Sequence, residues 1–263
     1  MTFKFKMNTI GGSIWLLCLS LGYVESAHAG PPLAICDDGA GWPPYTFVDP
    51  KNPGSIVGAS KDLIFGILER AGYSPQIELL PWKRCLAQVE SGQTALLLNA
   101  SFSEERAQKF LLTKPYYSLH SVLIYRTSKY PKPPQLTSMA DMKSYRYCGL
   151  RGYNYTMYDI PTALFETATD ERSRFAMLRR DRCDFVLGDM ELLQAFSSMG
   201  QLDLDGTGHI PIPGARPKEF HAMVSKALVD ADKLLKVIDD GLIAAKADKT
   251  YEKIFSKYGL GAK

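Results

Sequence analysis

The feature that most restricts the fold is an apolar run at residues 95–98 that stops abruptly on the polar residues Asn99 and Ser101. A continuous apolar run of this length, bounded by polar residues, reads as a strand buried on both faces, which requires a sheet covered by helices on both sides. Two similar units precede it. Residues 33–35 form a short apolar strand ending at Cys36, Asp37 and Asp38, and residues 62–71 carry the helical periodicity of Leu63, Ile64, Ile67 and Leu68 up to Gly72. Residues 77–80 read as the next strand, and Pro81 opens a helix to about residue 90, closed by Gly92. Strand, helix, strand, helix, strand predicts a parallel sheet with helices on its faces. Ligands of such sheets bind beyond the carboxyl ends of the strands. Asp38, Trp42, Trp82, Asn99 and Ser101 all follow strand ends, so they are expected to converge on one edge.

Beyond Ser101, Ser103 precedes Glu104, Glu105 and Arg106, a pattern in which the serine caps a short helix and the arginine lies in its first turn. A guanidinium beside hydroxyl groups suits a carboxylate, through two parallel charge-assisted hydrogen bonds of about 1.5–3 kcal/mol each. Spacing alone equally allows an arginine paired with Glu104 or Glu105 on a solvated turn.

The pattern then recurs. A strand at 121–125 is followed by the loop YPKPPQLTS, a strand at 145–150, a glycine loop at 151–155, a helix at about 170–180 and a strand at 185–187 ending on Gly188 and Asp189. This predicts a second α/β unit with its own sheet. The segment GTGHIPIPGARP reads as a surface connection and 220–225 as a last strand. Two terminal helices follow, at 231–247 and 250–258, broken near Asp248.

Lys4 and Lys6, an apolar segment at 14–21 and the triplet Ala27, His28, Ala29 match a secretory signal peptide, residues 1–29, cut before Gly30. The apolar segment is too short to span a bilayer, and Leu17 before Cys18 disfavours a lipoprotein. Cleavage leaves 234 residues with a net charge of +2, which gives no electrostatic case for nucleic acid or an anionic membrane. Cys36, Cys85, Cys148 and Cys183 remain; export favours two disulfides, with three connectivities open. No cysteine or histidine spacing matches a zinc site. No nucleophile elbow, phosphate loop or metalloprotease motif is present, so no motif argues for catalysis or a cofactor.

Several segments together resemble the bacterial extracellular solute-binding proteins of family three, the periplasmic components of polar amino-acid ABC transporters. They are WPPY from Trp42, DL at Asp62, SFSEER from Ser101 to Arg106 with the following FLLTKPYY, CGLRG from Cys148, CDFVLGD from Cys183 to Asp189, and the terminal TYEKIFSKYG from Thr250. The resemblance runs in order over nearly the whole mature chain. It implies an α/β, two-lobe periplasmic-binding-protein fold of type II, each lobe a mostly parallel sheet flanked by helices. Two crossover strands would join the lobes, with a ligand in the cleft and hinge closure on binding. Lobe one is expected at 30–117 plus 227–263 and lobe two at 118–226.

By the same resemblance, Arg106 grips a ligand carboxylate with help from Ser101, and Asp189 takes an amino group from the opposite lobe. Trp42 and Trp82 enclose the ligand side chain. Tyr153 and Asn154 stand where many relatives carry small hydroxyl residues, and Asn154 can still donate through its amide. Arg84, close to Trp82, is a further candidate for an anionic ligand. Adjacent strands in the implied sheets would pair Cys36 with Cys85, and Cys148 with Cys183. The implied protein is a periplasmic monomer without cofactor that presents a zwitterionic or carboxylated ligand to an inner-membrane ABC permease. Two other readings of the fold are a dehydratase, with Asp38, Asp189 or Glu166 as its acid, and a sensory module.

Overall fold

A computed structural model describes residues 1, 2, 4 and 32–260. The signal segment and its cleavage site before Gly30 otherwise lie outside the described residues. The first half runs β1 (Pro32–Asp38), the hairpin β2 (Phe47–Asp49) and β3 (Asn52–Val57), α1 (Ala59–Arg70), β4 (Ser74–Leu80), α2 (Trp82–Glu90) and β5 (Leu96–Ser101). There follow α3 (Glu104–Lys109), β6 (Phe110–Leu112), β7 (Tyr117–Leu119), β8 (Ser121–Arg126), β9 (Tyr147–Leu150), β10 (Phe165–Ala168), α4 (Glu171–Arg179), β11 (Phe185–Asp189) and α5 (Met190–Ser198). The chain ends with β12 (Thr207–Pro211), β13 (Lys218–Ser225), α6 (Ala231–Ala247) and α7 (Thr250–Lys257).

Two mixed sheets result. The first has the order β4-β1-β5-β13-β6, with β7 also on β13, and the second the order β10-β9-β11-β8-β12. The pairs of β1 with β4 and β5, and of β9 with β10 and β11, are parallel, whereas β13 and β8 run antiparallel to their neighbours. The sheets are therefore mixed rather than mostly parallel. Their antiparallel members are the strands that carry the chain from one sheet to the other. β7 leads into β8 on the outward crossing, the return enters β13, and the two crossings are hydrogen-bonded side by side, Leu119 opposite Lys218 and Tyr117 opposite Phe220. Lys218–Ser225, assigned above to lobe two, thus belongs to the first sheet, beside β5. The segment read as a surface connection is in part a strand: Thr207–Pro211 pairs with β8, and Ile210 and Ile212 are buried against the second core. Its glycines and prolines concealed the alternation.

Burial on both faces holds β5 at the centre. Leu96 and Leu98 pack beneath α1 and α6, while Leu97 and Ala100 face the opposite core with Cys36, Cys85 and Val89. The stripe Leu63, Ile64, Ile67 and Leu68 of α1 meets Leu234, Ile238 and Leu242 of α6. The helices approach so closely at Gly241 that a Cβ there would stand 2.3 Å from Ile67 Cγ2. Two disulfides join strand to helix or loop on these frames, Cys36–Cys85 and Cys148–Cys183, with Cα separations of 5.8 and 5.6 Å.

A polar knot ties the carboxyl ends of β1 and β5 together. Asn99, with φ of 57°, donates from Nδ2 to Asp37 Oδ2 at 2.5 Å and to Thr46 Oγ1 at 2.9 Å. Its Oδ1 accepts from Ser60 Oγ at 2.7 Å and Tyr117 Oη at 2.9 Å. Burial pushes the Asp37 carboxyl up to about 8, against the lowering effect of its bonds from the Asp38 backbone and Asn99. Asp37 is therefore mostly protonated at neutral pH when folded and ionised when unfolded.

Two outcomes are expected. The closed loops span 49 and 35 residues, so reducing either bridge should cost about 4 kcal/mol of stability by chain entropy, measurable by urea unfolding with and without reductant. Because the folded state holds the Asp37 proton more tightly, stability should fall as pH rises from about 4 to about 8, by up to about 1.4 kcal/mol per pH unit from this group. Asp37→Asn should flatten that slope in unfolding titrations.

Candidate functional site

The carboxyl ends of both sheets face one cavity of about 40 Å³, room for roughly three waters. From the first sheet come Asp38, Trp42, Trp82, Asn99, Ser101 and Arg106, and from the second Tyr153, Asn154 and Asp189. The lining residues that escaped the sequence reading include Asp37, Glu171, Arg174, Lys218 and Phe220. Glu171 and Arg174 were legible as an acid and a base three apart at the start of a helix. Lys218 sits on the return crossing, which was read as part of the second lobe. Arg84 is exposed on α2, and Glu166 pairs with Arg182 at 2.7 Å; neither lines the cavity.

Arg106 is positioned by its own turn. Ser103 Oγ accepts from the Arg106 backbone N–H, capping α3. The guanidinium then reaches back to β5, where Nη1 donates to the Ser101 carbonyl at 2.7 Å and to Ser101 Oγ at 2.9 Å. Its Cζ lies 5.4 Å from the centre of the Trp82 ring. Burial lowers its pKa to about 10, which leaves it charged at neutral pH. Among the described residues Arg106 forms no salt bridge, and Glu105 pairs instead with Lys109. The solvated-turn alternative does not hold. The indole N–H of Trp82 is also buried without a partner in the protein.

The remaining first-sheet residues are largely committed. Every hydrogen-bonding atom of the Asn99 side chain serves the knot around Asp37, so Asn99 fixes the strand ends and has no donor left for a ligand. The Trp42 indole donates to Tyr117 Oη at 2.8 Å and leans on Phe220 at 5.6 Å. Asp38 accepts from the Ala40 backbone at 3.0 Å, and burial raises its pKa despite the hydrogen bond from Tyr153.

Two second-sheet residues reach across. The Tyr153 hydroxyl donates to Asp38 Oδ2 at 2.6 Å, and its ring lies between Trp42 and Trp82, with centroids 5.8 and 6.2 Å away. Asn154 Nδ2 donates to the Phe102 carbonyl at 2.8 Å while its Oδ1 accepts from Thr156. Asn154 thus lines the cavity and at the same time makes a contact between the two sides.

Asp189, at the end of β11, is buried and doubly engaged. One oxygen accepts from Ser121 Oγ, its cross-strand neighbour, and the other from Lys218 Nζ at 2.8 Å. This pair is shielded, with side-chain exposures of 4% and 11%. Beside it Arg174 is bonded to Glu171 and donates to the Leu187 carbonyl at 2.8 Å, and its Nε has no partner among the described residues. Burial raises the Glu171 pKa against the pull of Arg174. Both cations complete an acid from within the chain.

Among the described residues no group of histidines, cysteines and acids is arranged to hold a metal ion, and no helix is long and apolar enough to cross a membrane.

The same architecture occurs in solved proteins. A histidine kinase sensor domain with similarity to periplasmic binding proteins aligns over 88% of this chain and 96% of its own, with a TM-score of 0.72 at 19% identity. A substrate-binding protein of an ABC uptake transporter from Streptococcus pneumoniae, with bound histidine, aligns over 88% and 95%, with a TM-score of 0.71 at 19% identity. An ancestral amino acid-binding protein, a precursor of cyclohexadienyl dehydratase, aligns over 86% and 95%, with a TM-score of 0.67 at 16% identity. At these identities the likeness is one of fold. No curated protein sequence matches the chain significantly. The profile of the bacterial extracellular solute-binding proteins, family 3, matches residues 35–261, and the chain belongs to that family.

Proposed function

We propose that this solute-binding protein captures a small carboxylate in the cleft between its two sheets and delivers it, from the periplasm and as a monomer, to an ABC permease. The observation that carries the reading is Arg106: a half-buried cation without an ionic partner among the described residues, oriented by Ser101 and stacked on Trp82. A buried cation without a counter-charge is costly, and a ligand carboxylate supplies that charge together with two acceptor oxygens. The Ser101 hydroxyl, which accepts from Arg106, keeps its own proton to donate. Trp42, Trp82 and Tyr153 provide flat apolar walls for the rest of the molecule.

The geometry favours binding over turnover. A dehydratase needs an acid aimed at its substrate, and Asp38 and Asp189 spend their oxygens on Tyr153, Ala40, Ser121 and Lys218. Closure and binding are coupled in this reading, because a ligand held by Arg106 on one side touches Tyr153 on the other. With a cavity of about 40 Å³ the ligand has to displace Tyr153 or part the lobes on entry.

Arg106→Ala should weaken carboxylate binding about 100-fold, the loss of roughly 3 kcal/mol of charge-assisted hydrogen bonding, with thermal stability nearly unchanged. Titration calorimetry and a melting curve on the same variant test both halves. Tyr153→Phe removes the bond to Asp38 but keeps the ring. The variant should shift the unliganded protein toward open forms, seen as a larger radius of gyration in small-angle X-ray scattering.

A further inference from the structure

We infer that the ligand of this cleft lacks an ammonium group, because Lys218 of the chain itself already holds the carboxylate that would receive one. The inference rests on the reading that Arg106 binds a ligand carboxylate, and specifies the class of acid. Lys218 Nζ is 2.8 Å from Asp189 Oδ2 and 5.3 Å from the centre of the Phe220 ring, and Ser121 occupies the other carboxylate oxygen. Lys218 begins β13 on the return crossing, while Asp189 and Ser121 are register partners at the adjoining strand ends. The ammonium is therefore anchored at the hinge beside its acid.

No other acid lining the cavity is free to replace Asp189. Asp37 is enclosed by Asn99 and the Asp38 backbone, Asp38 by Tyr153 and Ala40, and Glu171 by Arg174. An incoming ammonium would meet Lys218, Arg174 and Arg106, all cationic, and would reach Asp189 only by expelling Lys218 from a shielded ion pair. The unpaired polar atoms point the same way. The buried Nε of Arg174 and Nε1 of Trp82, on two residues that line the cavity, are donors without acceptors among the described residues. A cavity whose acids are each already engaged by a group of the chain selects an amine-free acid.

The test compares each standard amino acid with its des-amino counterpart, such as aspartate with succinate, glutamate with glutarate and phenylalanine with 3-phenylpropanoate. Thermal shift is followed by calorimetry on the wild-type protein, Arg106→Ala and Lys218→Met. Wild-type protein should bind its best des-amino acid at least tenfold tighter than the matching amino acid. Lys218→Met, which uncaps Asp189, should shift that ratio toward the amino acid by at least tenfold. The wild-type comparison decides the matter even where the Lys218 variant fails to fold. An amino acid bound as tightly as its des-amino partner, and lost in Arg106→Ala, would overturn the inference while leaving the carboxylate reading intact. Binding of neither series, or binding indifferent to Arg106→Ala, would overturn both.

Discussion

A charge taken out of water has to be compensated, and the cleft of this protein is organised by where that compensation comes from. Asp189 is matched by Lys218, Glu171 by Arg174, and Asp37 is neutralised by its own proton under the pressure of burial. Arg106 is charged and, among the described residues, forms no ion pair, resting on Ser101 and the Trp82 ring. Breaking a buried pair by removing one partner costs about 3–5 kcal/mol, so the internally matched groups resist exchange. The unmatched one invites it. This asymmetry, more than the shape of the cavity, specifies what chemistry is welcome there.

The crossing strands make the asymmetry compatible with movement. β7 and the start of β13 are hydrogen-bonded to each other, and Lys218 and Ser121 both lie at these crossings, close to Asp189. Their contacts sit at the pivot. Tyr153 and Asn154 bond to Asp38 and Phe102 across the cavity between the two sheets. In the proposed reading, the contacts at the crossings hold the charge balance and those of Tyr153 and Asn154 stabilise the approach of the two sides, which separates selection of the ligand from closure upon it.

Much of this arrangement was legible in the sequence because it depends on local patterns. The run through Leu98 needed two covered faces, which fixed a central strand, and the polar residues after each strand identified the edge where the cavity lies. The family resemblance, carried by ordered short segments, gave the fold. What stayed hidden depended on pairing between distant segments. β6 and β7 have three residues each and no periodicity to detect, and β12 was masked by its glycines and prolines. Asn99 and Asp189 read as available polar groups because a sequence displays a side chain's capacity and not its occupant. The ring of hydroxyls around Asn99 and the ammonium on Asp189 come from residues 17 to 53 and 29 positions away. Lys218 carried no signal of its own, since its role follows from the crossing it stands on.

The most direct measurement is a crystal structure of the protein purified from its native host with the co-purified molecule identified by mass spectrometry. The account predicts an acid without an amine, its carboxylate on Arg106 and the Lys218–Asp189 pair intact. An amino acid whose ammonium sits on Asp189, with Lys218 turned away, would contradict it.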